Sequence, residues 1–238
     1  MLKNTLLPKI IAFDVFGTVV DWHSSISNEL KNLNLGIDPD LFANAWRKGY
    51  YPAMARVRSG ELPWTKIDHL HRMMLDQVLK DFKITSLSEE QKKELNLVWH
   101  RLVPWPDTVE GLTRLKAKFT ITTLSNGNLS LLSNMAKNGA LPWDLILSAE
   151  VFKHYKPDPE TYLGVAELFE ISPNEVMLAA AHTDDLLAAQ QCGLQTAYIH
   201  RPFEFGQKSP KNMPNVDFFD YSVNNLLELS QILCKSAL

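Results

Sequence analysis

Acids, a serine and a lysine recur where apolar runs of this chain give out. Ile10-Ile11-Ala12-Phe13 ends on Asp14, followed by the turn residues Phe16-Gly17-Thr18 and a second acid, Asp21. Ser125-Asn126-Gly127-Asn128 closes the apolar run 119–124, and Lys156-Pro157-Asp158 lies in the connection after run 145–148. Asp184-Asp185 follow run 176–181 and a His182-Thr183 turn. Such a set has the parts for nucleophilic chemistry by a carboxylate, with a lysine to keep it ionised. Short bounded apolar runs read as buried strands of a parallel sheet, whose carboxyl ends border the ligand crevice. Asp14 alone is open to two readings, an acid facing that crevice or a cap for the next helix. The succession Asp, Ser, Lys, Asp at strand ends favours the crevice, because all four would converge there.

Bringing these groups together requires strands and helices in alternation. Residues 119–124, 145–148, 176–181 and 196–200 read as strands, and 109–118, 129–138, 159–169 and 186–192 as helices. Repeated β and α units of this length imply parallel strands with right-handed crossovers. Residues 22–101 read instead as nearly continuous helix, in segments 24–33, 41–57, 64–82 and 88–101. Ser88 and Gln91 stand at capping-box spacing at the start of the last of these. The expectation is an α/β fold: a doubly wound core (1–20 and 102–238) with a helical cap (21–101) inserted after its first strand.

Composition narrows the function classes. A net charge of -3 lacks the basic footprint of a nucleic-acid binder. Cys192 and Cys234 belong to no CxxC pair, so neither a zinc ligand set nor a disulfide framework is expected. The first eight residues show no leader-like apolar core or cleavage site, and no apolar run approaches the ~18 residues of a membrane span. A soluble cytoplasmic protein with no membrane partner is the expectation.

The order Asp14-x-Phe16-Gly17-Thr18, Leu124-Ser125-Asn126-Gly127-Asn128, Tyr155-Lys156-Pro157-Asp158-Pro159 and Ala181-His182-x-x-Asp185-Leu186 resembles the haloacid dehalogenase superfamily. Within it, the chain is similar to the L-2-haloacid dehalogenase (type II) branch. Ala45-Trp46-Arg47, Gly60-Glu61-Leu62-Pro63-Trp64 and Arg201-Pro202-Phe203-Glu204-Phe205-Gly206 extend the likeness over nearly the whole chain. The resemblance implies a Rossmann-like core with a helical cap, and a homodimer.

It also implies roles for residues. Asp14 would be the nucleophile that displaces halide from a short 2-haloalkanoic acid, forming an ester that water then hydrolyses. Thr18 would steady its carboxylate, and Lys156, partnered by Asp185, would favour its ionised form. Arg47 and Asn126 would contact the halide or substrate, Ser125 the substrate carboxylate, and Tyr162 matches an active-site tyrosine. Phe16 stands where phosphatases of the superfamily carry a second Asp that serves the leaving alcohol and helps bind magnesium. Phosphoryl transfer leans on such positioning and charge neutralisation, whereas a departing halide takes no proton. No metal or other cofactor is therefore expected; the alternative is a phosphatase with Asp14, Asp184 and Asp185 around magnesium. The chain departs from the branch at Ala180-Ala181-His182-Thr183-Asp184-Asp185, where Ala180 replaces a serine, His182 an asparagine and Asp184 an aromatic residue. His182 is expected to orient water or touch the halide, and Asp184 to point away.

Overall fold

The computed structural model describes residues 6–236. Residues 1–5, on which part of the N-terminal expectation rested, lie outside the described residues. The chain opens with β1 (Ile10–Phe13), a sharp turn and β2 (Val20–Asp21). There follow α1 (Trp22–Leu33), α2 (Pro39–Lys48), α3 (Tyr50–Arg58), α4 (Ile67–Asp81) and α5 (Glu89–Asn96), the last prolonged by a 3₁₀ turn at Leu97–Arg101. β3 (Val103–Pro104) returns to pair antiparallel with β2, so the helical insertion leaves and re-enters through one short ribbon. The remainder runs α6 (Thr108–Lys116), β4 (Thr120–Ser125), α7 (Leu129–Asn138), β5 (Leu145–Ser148), α8 (Ala149–Phe152) and α9 (Pro159–Leu168). It ends with β6 (Val176–Ala180), α10 (Thr183–Gln191), β7 (Gln195–Ile199), β8 (Tyr221–Val223) and α11 (Leu226–Ser236).

The main sheet is parallel throughout, in the order β5-β4-β1-β6-β7-β8. Chain order runs outward from β1 to β5, then jumps back across β1 to β6, which makes β1 the switch point where a ligand crevice opens. All of β1 is buried, and its alternation divides the core. Ile11 and Phe13 join the apolar cluster formed with α6, α7 and α11, while Ile10 and Ala12 join the one formed with α9 and α10. The first cluster continues into the insertion through Trp22, Ile26, Phe42, Trp46, Leu70 and Trp99, so its helices pack on the core through one continuous apolar body.

The doubly wound sheet matches expectation; several local details do not. Segment 41–57 is two helices, because Pro52 lacks the N–H of a continuing helix and its ring would clash with the Lys48 carbonyl, where α2 stops. Asp21 is the cap of α1, accepting from the Ser24 N–H at 2.9 Å, so this helix starts at Trp22 and not at Ser24. The capping box at Ser88 and Gln91 is present, but the helix it begins tightens to 3₁₀ after Asn96. The β2–β3 ribbon, β8 and α11 had no counterpart among the expected elements. Among the described residues no helix is long and apolar enough to cross a membrane.

Candidate active site

Asp14 lies one residue beyond β1, with its N–H on the Ala179 carbonyl at 3.0 Å, and is 6% exposed. The turn after it brings Thr18 back onto it: the hydroxyl donates to Asp14 Oδ2 at 2.8 Å and accepts the Ala181 N–H at 2.8 Å. That turn passes through Gly17 at φ +87°, a region open to glycine at little steric cost.

Lys156, in the loop before α9, places Nζ 3.0 Å from Asp14 Oδ1 and 2.5 Å from Asp185 Oδ2. Its own N–H donates to Asn126 Oδ1 at 2.8 Å, which locks the loop to the end of β4. Tyr162, on α9, donates its hydroxyl to Asp185 Oδ1 at 2.6 Å. His182, at the junction of β6 and α10, completes the ring: Nδ1 is 3.1 Å from Asp14 Oδ2, and Nε2 is 2.9 Å from Glu204 Oε1.

Electrostatics follow from this geometry. Burial would raise the Asp14 pKa, but Lys156, His182 and the Thr18 hydroxyl overcome it and hold the carboxyl well below the usual range. Burial and the nearby Asp14 charge push Asp185 up, against the opposing pull of Lys156. Burial works against the charged form of Lys156, yet Asp14 and Asp185 together raise it above its ordinary value. For His182 burial again favours the neutral form, while Glu204 and Asp14 outweigh it and push the imidazole up to about 10. His182 is thus an imidazolium at neutral pH, donating from both ring nitrogens.

A stability prediction follows from that raised value. The contribution of His182 is fully present below its ordinary pKa of 6.5 and is lost as pH rises through about 10. Unfolding free energy should therefore fall more between pH 7 and 10 in the native chain than in His182→Asn, by on the order of a few kcal/mol, read from thermal unfolding at each pH. Parallel pH profiles for the two proteins would refute the assignment.

Asp14, Lys156 and Asp185 border a cavity of about 60 Å³. One water needs roughly 10–15 Å³ on the same measure, so the space suits a molecule of few heavy atoms. Phe16, 2% exposed, forms part of its wall with its ring edge-on to Tyr50 and Trp99, and no acid stands two residues after Asp14. Arg47, on α2, reaches the cavity with its guanidinium 4.0 Å from the Tyr50 ring centre, and its buried Nη1 finds no hydrogen-bond partner among the described residues. A buried cation without a carboxylate partner is costly, and makes the cavity receptive to an anion.

Asn126, Tyr162 and His182 also line the cavity, and Asn126 Nδ2 rests 3.2 Å from Met54 Sδ. Three placements differ from expectation. The Ser125 hydroxyl accepts the Gly127 N–H at 3.1 Å and is not part of the cavity wall. His182 has both nitrogens committed to carboxylates, leaving no ring N–H for a halide. Asp184 borders the cavity from an exposed position and does not point away from it. Sequence reasoning assigned no role to Glu204 or Tyr50. The Arg201–Gly206 motif was the available signal for the first; the second is one turn beyond Arg47, which was not used.

A family model described as haloacid dehalogenase-like hydrolase matches residues 8–193. A solved L-2-haloacid dehalogenase is 42% identical with TM-score 0.90, covering 96% of this chain and 100% of that chain. A solved defluorinating L-2-haloacid dehalogenase is also 42% identical, with TM-score 0.92 and 95% of each chain covered. The curated (S)-2-haloacid dehalogenase 4A of Burkholderia cepacia is 29% identical over 237 residues, spanning 94% of each chain.

Proposed function

Because the chain belongs to the haloacid dehalogenase-like hydrolase family, we propose that it hydrolyses short 2-haloalkanoic acids to 2-hydroxy acids and halide through an ester on Asp14. The observation that carries this reading is an ionised, buried Asp14 facing a small cavity that also holds Arg47, whose buried Nη1 has no hydrogen-bond partner among the described residues. Asp14 Oδ1 attacks the halogen-bearing carbon from the side opposite the halogen; the new C–O bond forms as the carbon–halogen bond breaks, inverting the stereocentre. Arg47 and Asn126 receive the developing anions, for which donors fixed in a dry site contribute about 3 kcal/mol each. Water then adds to the Asp14 carboxyl carbon. The Cγ–Oδ1 bond breaks, the 2-hydroxy acid leaves with that oxygen, and one proton passes to solvent. Asp185, which shares Lys156 with Asp14 and whose pKa is raised by burial, is the acceptor this reading assigns to that proton.

The phosphatase alternative is set aside, since the leaving-group acid it requires is replaced by Phe16 and the relatives reported above carry dehalogenase names. This reading keeps the division into a core (1–20 and 102–238) and a cap (21–101), with Arg47 as the cap's contribution to the chemistry. It also keeps a cytoplasmic homodimer, which light scattering and fractionation would test.

Halide release should be measured with fluoro-, chloro- and bromoacetate and both 2-chloropropionate enantiomers, with and without chelator. The expected result is release from the (S) enantiomer, yielding the (R)-hydroxy acid, at a rate the chelator leaves unchanged. Failure to release halide from any of them would overturn the proposal.

A further inference from the structure

Glu204 has no part in the reaction as written above, yet it is completely buried beside it. A buried carboxylate is expensive unless its oxygens are satisfied. Here Oε1 takes His182 Nε2 at 2.9 Å and Trp22 Nε1 at 3.2 Å, and Oε2 takes Lys211 Nζ at 2.6 Å. Two devices hold it in place. A Cβ on Gly17 would stand 2.3 Å from Glu204 Oε1, so the glycine of the nucleophile's own turn makes room for the carboxylate. Arg201 pins the Glu204 loop to the same turn, donating from Nε to the Thr18 carbonyl at 2.9 Å and from both terminal nitrogens to Asp107 at 2.7 and 2.8 Å.

The line of contacts from Glu204 ends on a reacting atom. The two oxygens of Asp14 are not equivalent: Oδ2 receives Thr18 and His182, whereas Oδ1 receives Lys156. Oδ1, with the single donor, is the freer to attack, and Oδ2 then becomes the carbonyl oxygen of the ester. When water adds to Cγ, the π electrons of that carbonyl move onto Oδ2, and they return as the Cγ–Oδ1 bond breaks. We infer that Glu204 is a positioning residue for this second half-reaction, clamping His182 against Asp14 Oδ2 so that a fixed donor meets the charge as it develops. The inference rests on the reading of Asp14 as nucleophile. It gives the His182 position a task in ester hydrolysis, not in halide binding.

Rapid-quench single turnovers with (S)-2-chloropropionate separate the two halves, following chloride release and decay of the Asp14 ester by intact-protein mass. In Glu204→Gln, ester decay should slow roughly 10²-fold more than chloride release, the scale of losing one preorganised oxyanion donor, and the ester should accumulate. His182→Ala should show the same imbalance, and the double variant should be no slower than His182→Ala alone. Glu204→Asp, which keeps the charge, should recover part of the loss. His182→Ala leaves Glu204 paired to Lys211 and Trp22, so it carries the test if Glu204 variants fold poorly. Equal slowing of both halves, or additive losses in the double variant, would mean that Glu204 merely supports the fold. A native chain that releases no chloride at all would overturn the dehalogenase reading itself, and this inference with it.

Discussion

Asp14→Asn should reduce halide release from (S)-2-chloropropionate by at least about 10⁴-fold, the scale seen when a covalent nucleophile is removed. The variant should nevertheless fold. Asp14 is flanked by two cations, each with a second acid: Lys156 keeps Asp185, and His182 keeps Glu204. Neutralising Asp14 therefore leaves two closed ion pairs and no isolated charge, and an asparagine occupies nearly the same volume. Halide release is read with an ion-selective electrode, and folding by circular dichroism and thermal unfolding. Activity within tenfold of the native chain, in a folded variant, would eliminate the ester mechanism.

Lys156→Met should lower activity by about 10³-fold and also destabilise the protein. Methionine has similar length, but it leaves Asp14 and Asp185 facing each other across a buried site with no cation between them. Two such carboxylates do not both remain ionised, and the Asp14 pKa, now held low by Lys156, must rise. The acid limb of the pH–rate profile should move to higher pH, because the nucleophile takes up a proton nearer neutrality. Breaking a buried pair by removing one partner costs about 3–5 kcal/mol, which for a chain of this size lowers the unfolding temperature by roughly 10 °C. A profile whose acid limb stays in place would show that Lys156 serves only the fold.

Sequence reasoning reached the site where chemistry depends on residue type at a strand end. Asp14, Lys156 and Asp185 were legible because a sheet of parallel strands collects its strand ends, and all three meet within hydrogen-bonding distance. Tyr162, which the family resemblance matched to an active-site tyrosine, lies beside them with its hydroxyl on Asp185. Elements with local signals were recovered nearly to the residue, as for α7 and β5. The misses have physical causes. β8 is three residues long, and its pairing with β7 is set by the sheet edge it covers. The last helix did carry a signal, since Leu226, Leu229 and Leu233 recur at helical spacing and all are buried, but it follows a loop outside the repeated β/α pattern.

Glu204 shows most clearly where sequence stops. It is 190 positions from Asp14 in sequence, no spacing rule relates them, and a lone glutamate in a loop is ordinarily solvated. Only the closeness of its loop to the Gly17 turn makes it a buried charge, and only then is His182 held as a cation between two carboxylates. By itself the sequence determined the class of fold, singled out Asp14 as the candidate nucleophile and, through Phe16, favoured halide over phosphate. Those are matters of residue identity and periodicity, which local chemistry dictates. Which oxygen of Asp14 takes the fewer donors, which histidine is charged and which arginine keeps a buried nitrogen without a partner were decided by tertiary structure. Charge states and hydrogen-bond partners in a buried site depend on neighbours brought together from distant parts of the chain, and on the water excluded between them.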